Sequence, residues 1–322
     1  MNELDFGEKT AIPKAIQFKP KDKIKDKIET KPKSKSKPNP TIKAHSITYY
    51  LFINAHNYSV RTWQQCFPDK TVCLRSLIFN PGWFDFFDII EKKSYYPLME
   101  EILSKFLSKN QIVPHAELVF NALNVLSPRQ IQAVIIGQDP YVSSAKINGQ
   151  TIPEAMGLSF SVPLNFPKPP SLSNIYQNLV DFGHAPKIPQ SGCLTPWVLQ
   201  GCFMINASLT TFLGSKNSHQ NVWKYFSQDL LSYINSKCEN VVFLVWGKNA
   251  HMSCLNIDTT KHCIITSSHP SPLAVDKTLR GIDYKKKSVA TYPSFKSVNH
   301  FGLTNSYLKS KGKKEIFWDL ID

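Results

Sequence analysis

The segment QAVIIGQDPY, residues 132–141, decides the fold. The mostly apolar run Gln132–Ile136 stops at Gly137, which predicts a short buried strand. Asp139 follows, held between the strand end and Pro140, so its carboxylate has little conformational freedom. A carboxylate placed in this way can act as a general base or as a fixed negative charge beside a developing cation. Asp-Pro is also common in ordinary turns, so this segment alone does not assign a function.

Three further apolar runs resemble the first, and helical patterns separate them. Such an alternation indicates a parallel sheet covered on both faces. The expected fold class is therefore α/β, with three α/β/α layers and a central four-stranded, mostly parallel sheet. The predicted strands are Gln132–Ile136, Phe203–Ile205, Val241–Val245 and His262–Thr266; the predicted helices include 87–110, Ser171–Phe182 with Ser171 as N-cap, and Trp223–Ser236.

Polar residues follow the end of each predicted strand. In parallel sheets these ends meet at one edge, where ligand sites form. The residues concerned are Gln138 and Asp139, Asn206, Gly247 and His269. The last belongs to the segment HPSPL, in which two prolines stiffen a loop and place Leu273 at its tip. An apolar tip of this kind suits insertion between DNA bases, although a buried histidine and an ordinary surface leucine remain the alternative.

Composition limits the classes of partner and compartment. The formal net charge of +14 and the pI of about 9.3 favour a polyanionic partner such as nucleic acid. Seven cysteines occur without any C-x-x-C spacing, which favours a reducing, intracellular compartment over a disulfide framework. We expect no membrane span and no signal peptide, because no apolar run reaches about 18 residues and the N-terminus lacks the signal layout.

The chain divides into three predicted regions. Residues 1–45 are rich in Lys and Pro and are expected to form a disordered basic arm, serving as a nuclear address, as a DNA tether or simply as a solvated tail. Residues 46–81 are apolar enough to fold, as an appended segment of unknown role. Residues 82–322 are expected to form the main domain.

Six motifs occur in one order and are similar to those of the family-1 uracil-DNA glycosylases. The resemblance covers the chain from Trp83 to the C-terminus. It implies a monomeric DNA repair enzyme, without metal or organic cofactor, that flips deoxyuridine out of single- or double-stranded DNA and hydrolyses its base–sugar bond. It would work inside the cell, in the nucleus or a viral replication compartment. The motifs are GQDPY (137–141), GLSFSVP (157–163), KPPSLSNIY (168–176), INASLT (205–210), VFLVWG (242–247) and HPSPLAV (269–275).

The same resemblance implies roles in catalysis and base selection. Asp139 would activate water and stabilise the oxocarbenium-like sugar. His269 would donate a hydrogen bond to uracil O2, assisted by the backbone of Gln138. The pocket for uracil would consist of Asn206 on the N3 and O4 edge, together with Phe160 stacked on the base and Tyr141 against C5.

For DNA, the resemblance implies phosphate contacts at Ser171, at Ser271 and at the backbone of Gly247, with Leu273 filling the space of the flipped nucleotide. Lys248 stands where the family usually has a small hydroxyl residue.

Departures from the family pattern keep a second hypothesis open. Val142 replaces the usual histidine after GQDPY, which predicts a reduced rate. The segments 142–156 and 276–294 are longer than usual. The first could reshape the mouth of the site, and Arg280 and Lys285–Lys287 in the second predict extra phosphate contacts or only a solvated loop. These features motivate one rival, a catalytically weak DNA-binding scaffold in a replication assembly.

A changed base preference and a structural zinc site are less favoured. The first conflicts with the presence of both Tyr141 and Asn206, the two residues that would select uracil. A zinc site at His251, Cys254, His262 and Cys263 would have four ligand-type residues, but their spacing matches no common zinc pattern.

Overall fold

The computed structural model describes residues 53–108 and 111–320. The predicted arm 1–45 lies outside the described residues, as does the start of segment 46–81. The α-helices are α1 Trp63–Cys66, α2 Phe84–Ile90, α3 Tyr95–Phe106, α4 Asn121–Val125, α5 Pro170–Asp181, α6 Thr195–Val198, α7 Gln220–Lys237, α8 Lys248–Ser253 and α9 His300–Ser310. The strands are β1 Ile112–Val113, β2 Ala133–Gly137, β3 Ser144–Ile147, β4 Gln150–Pro153, β5 Cys202–Asn206, β6 Thr211–Phe212, β7 Val242–Trp246, β8 Cys263–Ser267, β9 Leu279–Ile282 and β10 Val289–Tyr292.

The central sheet has four strands in the order β5-β2-β7-β8, and every pairing is parallel. Each strand corresponds to one predicted run, shifted by about one residue. All residues of β2 and β7 are buried, as expected for strands covered by helices on both faces. The predicted three-layer α/β/α class is therefore confirmed.

Two local predictions about helices are wrong. The pattern over 87–110 predicts one helix, but the chain forms α2 and α3 with a break between them. Pro97 explains the break, because its ring would clash with the carbonyl of Lys93 in a continuous helix. Ser171 is not the N-cap of α5: Pro169 holds that position, and no side chain caps the helix.

Both expanded segments contain an antiparallel hairpin. In the first, β3 pairs with β4, and in the second, β9 pairs with β10. His251 of α8 anchors the second hairpin, accepting from Ile282 N at 2.8 Å and bonding the Tyr284 hydroxyl at 2.8 Å. The added residues therefore form two small sheets of their own and add no strand to the central sheet.

The described part of segment 46–81 packs on the same hydrophobic core as the rest of the chain. Trp63 Nε1 donates to Pro114 O at 2.8 Å, and Arg61 pairs with the buried Glu117 at 2.6 Å. Leu74 N donates to Glu100 Oε1 at 2.6 Å. None of these residues reaches the cavity described below. Among the described helices, none is long and apolar enough to cross a membrane.

Candidate active site

A cavity of about 490 Å³ lies at the carboxyl ends of the central strands. It is the place where the sequence predicts a site, because strand ends of a parallel sheet meet at one edge. Nine of the ten predicted site residues line it: Gln138, Asp139, Tyr141, Phe160, Ser171, Asn206, His269, Ser271 and Leu273. Gly247, the tenth, lies against His269 instead.

One carboxylate oxygen of Asp139 is hydrogen-bonded, and the other has no hydrogen-bond partner among the described residues. The Asn217 N–H donates to Oδ2 at 2.6 Å, whereas the buried Oδ1 has no hydrogen-bond partner among the described residues. Burial raises the pKa of Asp139, and the Asn217 N–H, the Thr211 and Ser208 hydroxyls and the Lys216 charge oppose that rise.

His269 is held as one neutral tautomer. Its Nδ1 accepts from the Ser271 N–H at 3.0 Å, so the ring proton must be on Nε2. Burial lowers the pKa of His269 to about 4, which keeps the ring neutral near pH 7. Gly247, at φ +89°, allows the ring to sit close to β7, because a Cβ there would be 2.9 Å from His269 Cβ. The site therefore offers a neutral N–H donor.

Asn206 ends β5 directly beside the end of β2, where it pairs with Gly137. Its amide lies over the glycine: a Cβ on Gly137 would be only 2.1 Å from Asn206 Oδ1. Because Gly137 has no side chain, the Asn206 amide can occupy the space above it. An amide presents both a donor and an acceptor, so it can distinguish edges of a planar base.

Phe160 and Tyr141 form the apolar wall. Phe160 is 8% exposed and adopts a left-handed backbone conformation at φ +61°. Its ring packs edge-on against Trp246, with centroids 5.5 Å apart. Tyr141 donates to Phe160 O at 3.2 Å, which ties the two aromatic residues together. A flat ligand between them would meet a stacking surface on one side and a steric limit on another.

The outer rim of the cavity carries the residues predicted for DNA. Ser171 lies at the start of α5, and Asn174 Nδ2 one turn later donates to Pro270 O at 2.7 Å. This bond joins α5 to the loop that carries Ser271 and Leu273. Leu273 is 81% exposed, the highest fraction among the exposed large apolar side chains of the described residues. An apolar side chain held this far out on a stiff loop is suited to insertion into another molecule.

Sequence reasoning missed four polar residues of this cavity: Ser143, Glu154, Lys216 and Asn217. Asn217 contacts Asp139 from 78 residues away in the chain, and no local pattern signals such a pairing. Glu154 follows β4 in the expanded segment and is 9% exposed. Its burial raises its pKa, and the charge of Lys216 opposes this shift. The expanded segment therefore contributes an acidic wall to the cavity.

The two histidines considered for zinc are engaged in other hydrogen bonds, and Cys254 is fully buried. Both ring nitrogens of His251 bond the second hairpin, and His262 Nδ1 accepts from Val241 N at 3.3 Å. Within residues 53–108 and 111–320, no group of three or more His, Cys, Asp or Glu side chains is arranged to hold a metal ion.

A larger depression of about 670 Å³ lies between α7 and α8 and shares Gln138 and Asn206 with the first cavity. Amide, hydroxyl and aliphatic side chains dominate its lining, and it includes neither Asp139 nor His269. It therefore lacks the acid–base groups that the smaller cavity combines, and we place the site in the smaller one.

The fold and the cavity define a class of protein: an α/β/α protein whose site, at the carboxyl ends of parallel strands, combines a carboxylate, an amide and a neutral histidine. More specifically, the chain belongs to the uracil DNA glycosylase superfamily, whose family model matches residues 123–292. A probable uracil-DNA glycosylase of Acanthamoeba polyphaga mimivirus is 50% identical over 286 residues, covering 88% of this chain and 76% of that protein.

Two further comparisons support the same family membership. A uracil-DNA glycosylase of Aliarcobacter butzleri is 35% identical over 237 residues, which cover 73% of this chain and 99% of that protein. The crystal structure of mimivirus uracil-DNA glycosylase superposes with a TM-score of 0.82 at 49% identity, over 86% of this chain and all of that one. The membership expected from the motifs is thus confirmed.

Proposed function

We propose that the protein is a uracil-DNA glycosylase of base excision repair, an N-glycosyl hydrolase that releases uracil from DNA and leaves an abasic site. The observation that carries this proposal is the convergence of Asp139, Asn206 and His269, from three different strand ends, on one cavity. Relatives at 50% and 35% identity bear the same activity in their names. The substrate is uracil-containing DNA, single- or double-stranded.

Asp139 acts on the sugar side. Its unpartnered Oδ1 takes a proton from the attacking water, whose oxygen bonds to C1′ as the C1′–N1 bond breaks. The electron pair of that bond leaves with uracil N1. Until then the carboxylate charge stabilises the oxocarbenium-like sugar, and general-base catalysis of this kind contributes about 10²–10⁴-fold. The Asn217 N–H, which fixes Oδ2, holds the carboxylate in orientation.

His269 acts on the base side. As bond breaking places negative charge on uracil, the Nε2–H donates a hydrogen bond to O2, assisted by the backbone of Gln138. A neutral donor aimed at a developing anion stabilises the transition state without any proton transfer. The low pKa of His269 suits this role, because the ring stays neutral over the physiological range.

Three side chains select uracil. Asn206 accepts from N3–H and donates to O4, whereas cytosine reverses that pattern and would leave buried groups unpaired, at about 1–3 kcal/mol per group. Phe160 stacks on the base. Tyr141 presses on the C5 edge and excludes the methyl group of thymine. The bond from Tyr141 to Phe160 O keeps this wall in place.

The residues of the outer rim bind the DNA backbone. Ser171, Ser271 and the backbone of Gly247 bind phosphates on either side of the flipped nucleotide, and Leu273 fills the space it leaves. Flipping costs least for a mispaired base, so a U·G pair is a better substrate than U·A. We further propose that the protein acts as a monomer inside the cell, in the nucleus or a viral replication compartment, which its relation to a mimivirus protein supports.

The direct test measures base release from a single-stranded oligonucleotide with one uracil, beside an oligonucleotide with cytosine at that position. We expect release of uracil and none of cytosine. The rival scaffold function has one observation in its favour, the apolar Val142 on the cavity wall. Tight DNA binding by folded protein without any base release would support that rival and contradict the enzyme.

A further inference from the structure

The turn formed by residues 213–218, between β6 and α7, is fixed against the loop that carries Asp139. Gly214 N donates to Val142 O at 2.9 Å, and Asn217 N donates to Asp139 Oδ2 at 2.6 Å. Thr211 Oγ1, on β6, donates to Ser215 O at 2.6 Å. Asn217 adopts a left-handed conformation at φ +62°, which directs its N–H toward the carboxylate. The turn is thus held rigidly over one side of the cavity.

Lys216 belongs to this turn and lines the cavity. Burial raises the pKa of both Asp139 and Glu154, and the charge of Lys216 opposes the rise at each, so its ammonium lies within electrostatic reach of the two carboxyl groups. It is nevertheless exposed, and within residues 53–108 and 111–320 no carboxylate lies close enough to form an ion pair with it. The ammonium is therefore available to a ligand.

The cavity wall carries more negative than positive charge, so a cation there would favour the binding of a polyanion. The described lining residues include two carboxylates, Asp139 and Glu154, and Lys216 as the one lysine or arginine. His269 is neutral at physiological pH. A DNA strand that enters this wall brings phosphate charge toward two acids, and a neighbouring ammonium compensates the repulsion.

We propose that Lys216 contacts the substrate, binding the DNA phosphate adjacent to the flipped deoxyuridine on the Asp139 side of the cavity. This rests on the proposed function, in which Asp139 faces the sugar and Asn206 faces the base. Lys216, on the Asp139 side of the cavity, then faces the sugar–phosphate backbone. The Val142 carbonyl accepts from Gly214 N at 2.9 Å, and this backbone bond holds the turn that carries Lys216 beside the Asp139 loop.

The test compares Lys216→Met, which removes the charge, with Lys216→Arg, which retains it. Lys311→Met is the matched control, because Lys311 follows α9, is exposed like Lys216 and lies outside the cavity lining. Uracil release from a single-stranded oligonucleotide is measured between 50 and 200 mM salt, and binding of the same oligonucleotide by fluorescence anisotropy. Over this salt range the DNA affinity of a protein with several phosphate contacts falls by about tenfold or more.

We expect Lys216→Met to lower kcat/KM about tenfold, mainly through KM, and to reduce the log–log salt slope by about 0.7, the value for one phosphate contact on a single strand. Lys216→Arg should stay within about threefold of wild type, and Lys311→Met should equal it. An unchanged slope and KM in Lys216→Met would overturn the proposal. So would a loss confined to kcat, which would place the effect of Lys216 on Asp139 rather than on phosphate.

The proposal would also be overturned if Lys216→Arg lowered kcat/KM as much as Lys216→Met. Such a result would mean that the shape of the lysine side chain matters and its charge does not, which is a structural role. Failure of the proposed function is a separate result: wild-type protein would then release no uracil. The anisotropy slope still tests the phosphate contact in that case.

Discussion

Replacing Gly137 by alanine tests whether the position of the Asn206 amide controls the reaction. The added Cβ would lie 2.1 Å from Asn206 Oδ1 and 2.9 Å from Ser159 Cβ. Non-bonded atoms of these types are normally separated by about 3.2 Å or more. The amide must therefore move by roughly 1 Å, because the backbones of β2 and β5 are hydrogen-bonded to each other and buried, and have little freedom to yield.

A displacement of about 1 Å at a substrate-positioning group costs on the order of 10²-fold in rate. We therefore expect kcat/KM for uracil release to fall about 100-fold, equivalent to about 2.7 kcal/mol of transition-state stabilisation. The loss of unfolding free energy should be about 1–3 kcal/mol, as for other overpacked core positions. Base release from a single-stranded uracil oligonucleotide gives the first quantity, and urea unfolding gives the second.

Gly302→Ala is the matched control. Its Cβ would lie 2.4 Å from Nδ2 of Asn299, so it also strains an asparagine side chain, but one outside the cavity. It should lose stability and keep kcat/KM within about threefold, since the affected amide touches no substrate. The reasoning is refuted if folded Gly137→Ala protein releases uracil at the wild-type rate, or if both variants lose activity equally.

Three other predictions concern the rim, the second hairpin and pH. Leu273→Ala should slow release from duplex at least about tenfold more than from single strands, because only the duplex requires a stacked partner to be displaced; equal effects on both substrates would contradict the wedge. Neutralising Lys285–Lys287 to glutamine should lower the salt slope of duplex binding by up to about 2.7 if all three contact phosphates, and an unchanged slope would leave the hairpin as a solvated surface. His219, whose pKa burial lowers from 6.5 to about 4, should destabilise the fold as pH falls from 6.5 to 4, because the unfolded chain binds the proton more readily. His219→Gln should flatten the pH dependence of the unfolding free energy by up to about 3 kcal/mol over that interval, whereas an unaltered dependence would show that this ring is not the cause.

The sequence is sufficient to predict the sheet and most of the cavity because both depend on local signals. Four apolar runs end in polar residues, and parallel strand ends meet at one edge whatever the lengths of the connections. Asp139, Asn206 and His269 therefore come together from the pattern alone. The motifs add Tyr141 and Phe160, which lie off the strand ends and carry no signal of their own in composition or spacing.

Features that depend on distant contacts could not be predicted. The 213–218 turn reaches Asp139 through Asn217, and only the folded chain brings these residues together. Glu154 is buried because the first hairpin turns it toward the cavity. The prediction of the α5 N-cap is wrong for a local reason: a serine favours that position, but Pro169 occupies it and the helix starts one residue before Ser171.

The central claim is that Asp139 is the carboxylate that drives hydrolysis, and Asp139→Asn tests it most directly. Asparagine keeps the shape and can still accept from Asn217 N–H, but it has no charge to stabilise the sugar cation and cannot take the proton of water. On a single-stranded uracil oligonucleotide we expect the rate of release to fall by about 10²–10⁴-fold, with DNA binding retained. Wild-type rates of release in a folded Asp139→Asn variant would contradict the account.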